Sequence, residues 1–181
     1  LVHAARELGL IKNSNGAERW QISLELRDGP VPVEIVEQGD HPLVRMWQRC
    51  PVFGDVHAPE VARLFGLEPR DLLPGVPVQT VSTGTPQLMV PVKSREALAR
   101  AVLQSAPYRT YRDKKNFFSR HLFCLDGLCP DAQTFARHFG LAPDTPEDPF
   151  TGSATGAMGA YLWHYGLLSR PHFVAEQGHW L

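Results

Sequence analysis

Apolar and polar residues alternate along three early stretches of the chain: residues 20–26 read WQISLEL, residues 31–37 VPVEIVE and residues 43–48 LVRMWQ. A period of two marks strands with one buried face, and Asp28-Gly29-Pro30 between the first two marks a turn. The three stretches predict a meander. Upstream, residues 1–11 (LVHAARELGLI) carry apolar side chains at helical spacing with Gly9 at the closing position, and residues 12–18 (KNSNGAE) form a turn. Residues 50–54 (CPVFG) break the alternation and predict a domain crossing.

Beyond that point helices and strands are mixed. Residues 57–67 (HAPEVARLFGL) predict a compact helix, with Pro59 in its first turn and Gly66 at its end. Residues 76–82 (VPVQTVS) and 87–92 (QLMVPV) predict strands on either side of Thr83-Gly84-Thr85-Pro86. Ser94 stands in the N-cap position of a helix over residues 95–105 (REALARAVLQS). Residues 107–118 predict a loop, with Tyr108, Tyr111, Phe117 and Phe118 packing it. Residues 120–126, 132–139 and 172–177 complete the strands.

One stretch does not fit this alternation: EDPFTGSATGAMGAYL, residues 147–162. Residues 151–168 predict a helix although Gly152, Gly156 and Gly159 each cost about 1 kcal/mol against Ala in a helix interior. Small residues fill its first turns, and no polar face develops before His164. A helix apolar all round is a buried one, and small side chains let strands approach its backbone. Its first N–H groups lack intrahelical partners and, with the helix dipole, suit an anion. Gly152 allows close approach and Ser153 adds a hydroxyl, while Asp148 just ahead is placed to hold or move a proton. Thr83-Gly84-Thr85 could add backbone donors from a second turn. Asp and Thr are also ordinary helix-start residues, and a Gly-rich helix can serve packing alone.

Composition narrows the classes. The 181 residues carry a formal net charge of -1 without a basic block, so nucleic acid is not an expected partner. No apolar run is long enough to span a bilayer as a helix, and no signal peptide is visible. The three cysteines, Cys50, Cys124 and Cys129, read as free thiols in a reducing cytoplasm. No histidine pair has helical metal spacing with a third ligand, so no metal site is expected.

EDPFTGSATGAMGAYL resembles the signature of the PhzF-like family, named for phenazine biosynthesis, which shares the diaminopimelate epimerase fold. VQTVSTGTPQLMVPV (residues 78–92) is similar to that family's strand, Gly turn and strand. Arg137-His138-Phe139 resembles its Arg-x-Phe, and Glu176-Gln177-Gly178 its Gln-Gly near the end. LVHAARELGLI resembles the helix after its Gly-His-Ala-Thr motif. The resemblance implies an α+β fold of two pseudo-symmetric domains, each a sheet rolled round a helix. Residues 1–54 would be the remainder of an incomplete N-terminal domain, and residues 55–181 most of the C-terminal one. It further implies a cofactor-independent isomerase that moves a proton at a carbon of a small carboxylic acid, cytoplasmic and a homodimer. Asp148 would be the catalytic acid, with Thr151, Gly152, Ser153, Gly84 and Thr85 binding substrate. The family's general base is a glutamate ahead of the Gly-His motif, so this chain is expected to hold half a site and to be inactive alone. The alternative is a truncated or degenerate homologue that only binds a small anion or a protein partner. A third expectation, a racemase acting through Cys124 and Cys129, is weaker, because neither thiol lies in the signature.

Overall fold

The computed structural model describes residues 2–26, 29–39, 42–141, 143 and 146–178. The turn expected at Asp28 and the final residues 179–181 therefore lie outside the described residues. The chain divides into two compact units, Leu1–Gln48 and Arg49–Leu181.

The first unit is the expected meander. A short helix, α1 (Val2–Glu7), precedes β1 (Arg19–Leu26), β2 (Gly29–Val36) and β3 (Leu43–Met46), paired antiparallel in that order. Along β2 the buried residues Val31, Val33 and Ile35 alternate with outward ones, as the period-two pattern requires. Val2 of α1 closes on Val33 and Ile35 to form a small core. Glu37 ties this core's edge together, accepting from Arg6 at 2.9 Å and from the Trp20 indole at 2.8 Å.

The second unit is built on one mixed sheet. Its strands are β4 (Val52–His57), β5 (Val78–Ser82), β6 (Pro86–Pro91), β7 (Ser119–Cys124), β8 (Ala132–Phe139), β9 (Glu147–Asp148) and β10 (Val174–Gln177). The order across the sheet is β10-β8-β7-β6-β5-β4, with β9 paired to the end of β8. Because β4 includes Val52–Gly54, the stretch expected to cross between domains is already part of this sheet. β6 and β7 are parallel, as are β8 and β10. Parallel neighbours need long crossovers, and these carry the helices: α2 (Arg95–Arg100) and α3 (Ser105–Arg112) in the first, α4 (Gly152–His164) in the second.

Alternation along the central strands sorts side chains into two layers. Leu88, Val90, Leu122, Cys124 and Phe135 face one core with Phe65, Leu98 and Tyr108. Met89, Phe123 and Ala136 face the other, against Ala157, Met158, Tyr161 and Leu162 of α4. Every residue of β7 is buried, the polar Ser119, Arg120 and His121 included, so its burial does not alternate. Burying Met158, Tyr161 and Leu162, all 0 % exposed, is worth about 1.5–3 kcal/mol each.

Several expectations are corrected. Residues 107–118 are not all loop, since α3 runs to Arg112. Its sequence is polar, but Tyr108 plugs the core against Phe65 and Phe117 and supplies the stability that local propensity lacks. The helix expected to Ser105 stops at Arg100. There the chain extends, and the Val102 and Gln104 N–H groups bond instead to Phe65 and Leu64 carbonyls. The helix expected over 57–67 is a 3-10 helix, Pro59–Phe65, ended at Gly66 as predicted. α4 is buried on one face only, with Trp163 and His164 exposed. Gly159 has a packing reason: a Cβ there would come within 3.2 Å of the Phe173 ring.

Candidate functional site

Asp148 sits where β9 meets α4, with its backbone paired to His138 of β8. Its side chain is held from the next turn of chain. The Thr151 hydroxyl donates to Oδ2 at 2.7 Å, and the Phe150 N–H donates to Oδ1 at 3.3 Å. Gln177, on the neighbouring parallel strand β10, closes the ring: its amide donates to the Asp148 carbonyl (2.7 Å) and the Thr151 hydroxyl (3.2 Å). Its carbonyl accepts from the Thr151 N–H at 3.2 Å. With its hydroxyl spent on Asp148, Thr151 makes no side-chain cap to α4, although it occupies the N-cap position. Gly178 seats this ring. Its φ is +84°, and a Cβ would lie 2.5 Å from the Pro149 carbonyl oxygen.

Glu147, the other acid of the pair, has a different job. It forms an ion pair with Arg137, both side chains about one-tenth exposed. Arg137 also donates to the Leu98 and Ala101 carbonyls, both at 2.9 Å. Both carbonyls lie at the end of α2, where Leu98 also accepts the Ala101 N–H. Arg137 thus pins the signature to the opposite layer, and the two adjacent acids are divided between anchoring and an open site.

Asp148 lines a cleft of about 610 Å³ together with Arg112, Ser119, Arg120, His138 and Gly140. Two arginines against one carboxylate in the lining give the cleft an excess of positive charge, which suits an anion. Arg120 is buried at 3 % exposure, stacked on Tyr108 with 4.6 Å from guanidinium to ring centre. His138 is 7 % exposed and pairs through Nδ1 with Nδ1 of His121 at 3.3 Å. Burial holds the His138 pKa down to about 4, with the Arg120 charge adding to the effect and Asp148 opposing it. Burial and its neighbour His138 hold His121 at about 3. Both imidazoles are therefore neutral at pH 7.

The structure brings some of the sequence-predicted residues together directly. Asp148 and Thr151 are hydrogen-bonded, and Gly152 (exposed) and Ser153 (half-buried) follow as the first turn of α4. Gly84 and Thr85 lie in the turn between β5 and β6. The register Gln87↔Ser119 and Leu122↔Arg137 puts that turn at the same end of the sheet as the cleft. Among the described residues neither hydrogen-bonds to Asp148 or to the start of α4; Gly84 donates to the Ser82 hydroxyl at 3.2 Å. Sequence reasoning missed Arg112, Arg120, His121 and His138 as site residues. Three of these lie on buried strands, where a polar residue in an apolar run was the available signal. RHLFC at residues 120–124 places an Arg and a His where solvent cannot reach.

The thiols stand apart from this arrangement. Cys124 is buried, which raises its pKa, and Glu176 beside Cys129 raises that one, so neither favours the thiolate. Among the described residues no group of three or more His, Cys, Asp or Glu side chains could hold a metal ion, and no helix is long and apolar enough to cross a membrane.

Residues 4–181 match the family described as phenazine biosynthesis-like protein. An uncharacterized isomerase of Bacillus subtilis, YfhB, is 32% identical over 161 residues, 86% of this chain and 54% of that protein. The YddE isomerase of Escherichia coli K12, also uncharacterized, is 32% identical over 158 residues, 84% of this chain and 50% of its own length. Among solved structures, a protein described as a predicted epimerase from Pseudomonas aeruginosa superposes with a TM-score of 0.80 at 31% identity, covering 98% of this chain and 60% of that one. A PhzF-family phenazine biosynthesis protein from Bacillus anthracis gives 0.73 at 31%, covering 89% and 54%. The chain thus spans about half the length of the curated relatives it matches.

Proposed function

The chain belongs to the phenazine biosynthesis-like protein family, and from that premise we propose that it supplies one wall of the active site of an isomerase. The reaction is a cofactor-independent proton shift at a carbon of a small carboxylic acid. The single observation that carries the reading is Asp148 lining a cleft that Arg112, Arg120 and His138 also line, at the uncapped start of α4.

In this reading Asp148 returns or holds the proton at the reacting carbon, and Thr151 and Gln177 fix its orientation. The first N–H groups of α4, at Gly152 and Ser153, receive the substrate carboxylate, since helix N-termini favour anions. Gly84 and Thr85 add donors from the turn at the same end of the sheet. A general base must reach the proton it removes within hydrogen-bond distance, and the family resemblance assigns that role to a glutamate outside this sequence. The relatives' names as isomerases and a predicted epimerase support the reaction class.

The test is solvent-deuterium exchange into small carboxylic acids by a protein extended to the length of its relatives. Asp148→Asn is expected to lower exchange by about 10²–10⁴-fold, the usual contribution of a positioned acid or base. Exchange unchanged by that substitution refutes the role. An anion that still binds with no exchange in either protein favours a purely binding homologue.

A further inference from the structure

We propose that His138 presents an imidazole N–H to the Asp148 cleft from its Nε2 atom, and that His121 locks it in that tautomer. The ligand this N–H meets is the small carboxylate of the reading above; the tautomer itself is independent of it.

The pair lies in the sheet beside the site, His121 on β7 and His138 on β8, and the two Nδ1 atoms are 3.3 Å apart. Both rings are neutral at pH 7, so one Nδ1 carries a hydrogen and the other accepts it. If His138 donates, its Nε2 is bare and His121 must carry its hydrogen on Nε2. If His121 donates, the reverse holds. Each arrangement contains one ring of each tautomer, so intrinsic preference cancels. What differs is where the remaining N–H ends up.

His121 is 0 % exposed, and its Nε2 is buried with no hydrogen-bond partner among the described residues. An N–H sealed there is the kind of orphaned donor that folded proteins rarely keep. His138 lines the cleft, and with Nδ1 turned to His121 its Nε2 is the nitrogen left to meet a ligand. The charges of Arg120 and Asp148 act on whether the ring gains a proton, Arg120 the more strongly, and the ring is neutral in either tautomer. The sealed Nε2 of His121 then decides: His121 donates, and His138 keeps its hydrogen on the cleft side.

This gives the cleft a neutral donor beside the carboxylate of Asp148. When a proton leaves the carbon next to a carboxyl or carbonyl group, negative charge grows on that group's oxygen. A preset N–H stabilises that charge without itself giving up a proton. His138 is the group that touches substrate, and His121 is a positioning residue.

The experiment is a two-bond ¹H–¹⁵N correlation spectrum of the chain labelled at histidine, at pH 7. The expected pattern is His138 protonated at Nε2 and bare at Nδ1, with His121 the reverse. His138 protonated at Nδ1, or at both nitrogens, overturns the proposal. In His121→Phe, His138 is expected to lose its single-tautomer pattern; a pattern unchanged from wild type also overturns it. Should that variant fail to fold, the wild-type spectrum decides alone. Titration with succinate is expected to move the His138 Nε2 signal and spare His121. Shifts at the amides around Asp148 with His138 unmoved overturn its ligand-facing role. Failure of the Asp148→Asn exchange test leaves all these patterns unchanged, so the two readings fall separately.

Discussion

Acid weakens this protein through two histidines. An unfolded chain takes up a proton at each imidazole near pH 6.5. Folded, the pair refuses protons until about pH 4 at His138 and about pH 3 at His121, because burial disfavours the charged ring. Between those limits the unfolded state binds more protons, so stability falls as pH falls. The stabilisation is fully present above pH 6.5 and is lost progressively below it. Each ring contributes about 1.4 kcal/mol per pH unit once the unfolded imidazole is titrated. Integrated from pH 7 to pH 4.5, the pair removes about 5 kcal/mol, a large part of a typical stability of about 5–15 kcal/mol. The rings share a hydrogen bond, so the loss belongs to the pair and not to either residue. Urea denaturation at pH 7, 6, 5 and 4.5, followed by circular dichroism, reads it directly. The control is His121→Phe/His138→Phe, which puts a slightly larger aromatic ring in each place and removes their titration. His57 is also held below its ordinary pKa by burial, but it remains in both proteins and cancels. Wild type should lose about 5 kcal/mol more than the double variant across this range. Equal losses in the two would refute the reasoning.

Two further substitutions probe how the site is held. Arg137→Ala leaves Glu147 as a buried charge and removes one donor from each of the Leu98 and Ala101 carbonyls, so urea unfolding should show a loss of about 3–5 kcal/mol. A loss under 1 kcal/mol at low and high salt alike would mean that the pair is solvated. Gly178→Ala forces a Cβ against the Pro149 backbone at a positive φ. It should cost more than about 1 kcal/mol and shift the amide signals of Phe150 and Thr151. Unchanged signals there would show that Gly178 does not seat the Asp148 turn.

Much of the fold was legible because burial imposes a period. β1 alternates, and β2 does so up to Val36, which is buried beside Ile35, while the strands at residues 78–91 were readable from apolar runs between turn residues. Asp148, Thr151, Gly152 and Ser153 were legible as a group, since an acid, a proline and a small-residue helix start lie together in the chain. α3 was not legible, because one buried tyrosine and its partners Phe65 and Phe117 supply what its own residues lack. The roles within Glu147-Asp148 were not legible either. Adjacent residues in a strand face opposite ways, and only the position of Arg137 tells which acid is pinned.

By itself, then, the sequence determined the meander, the strand-rich second unit and the local chemistry around Asp148. These follow from periodicity, turn residues and neighbours in the chain, all of which are local quantities. Tertiary structure alone decided that Gln177 reaches back 29 residues to Asp148, that His121 meets His138, and that Arg112 and Arg120 line the same cleft. Those contacts depend on strand order, on the antiparallel register of β7 with β8 for the two histidines, and on the register of parallel neighbours, β6 with β7 and β8 with β10, for the rest. Parallel register is set by packing on both faces of a sheet rather than by a connecting turn, so a linear pattern carries little trace of it.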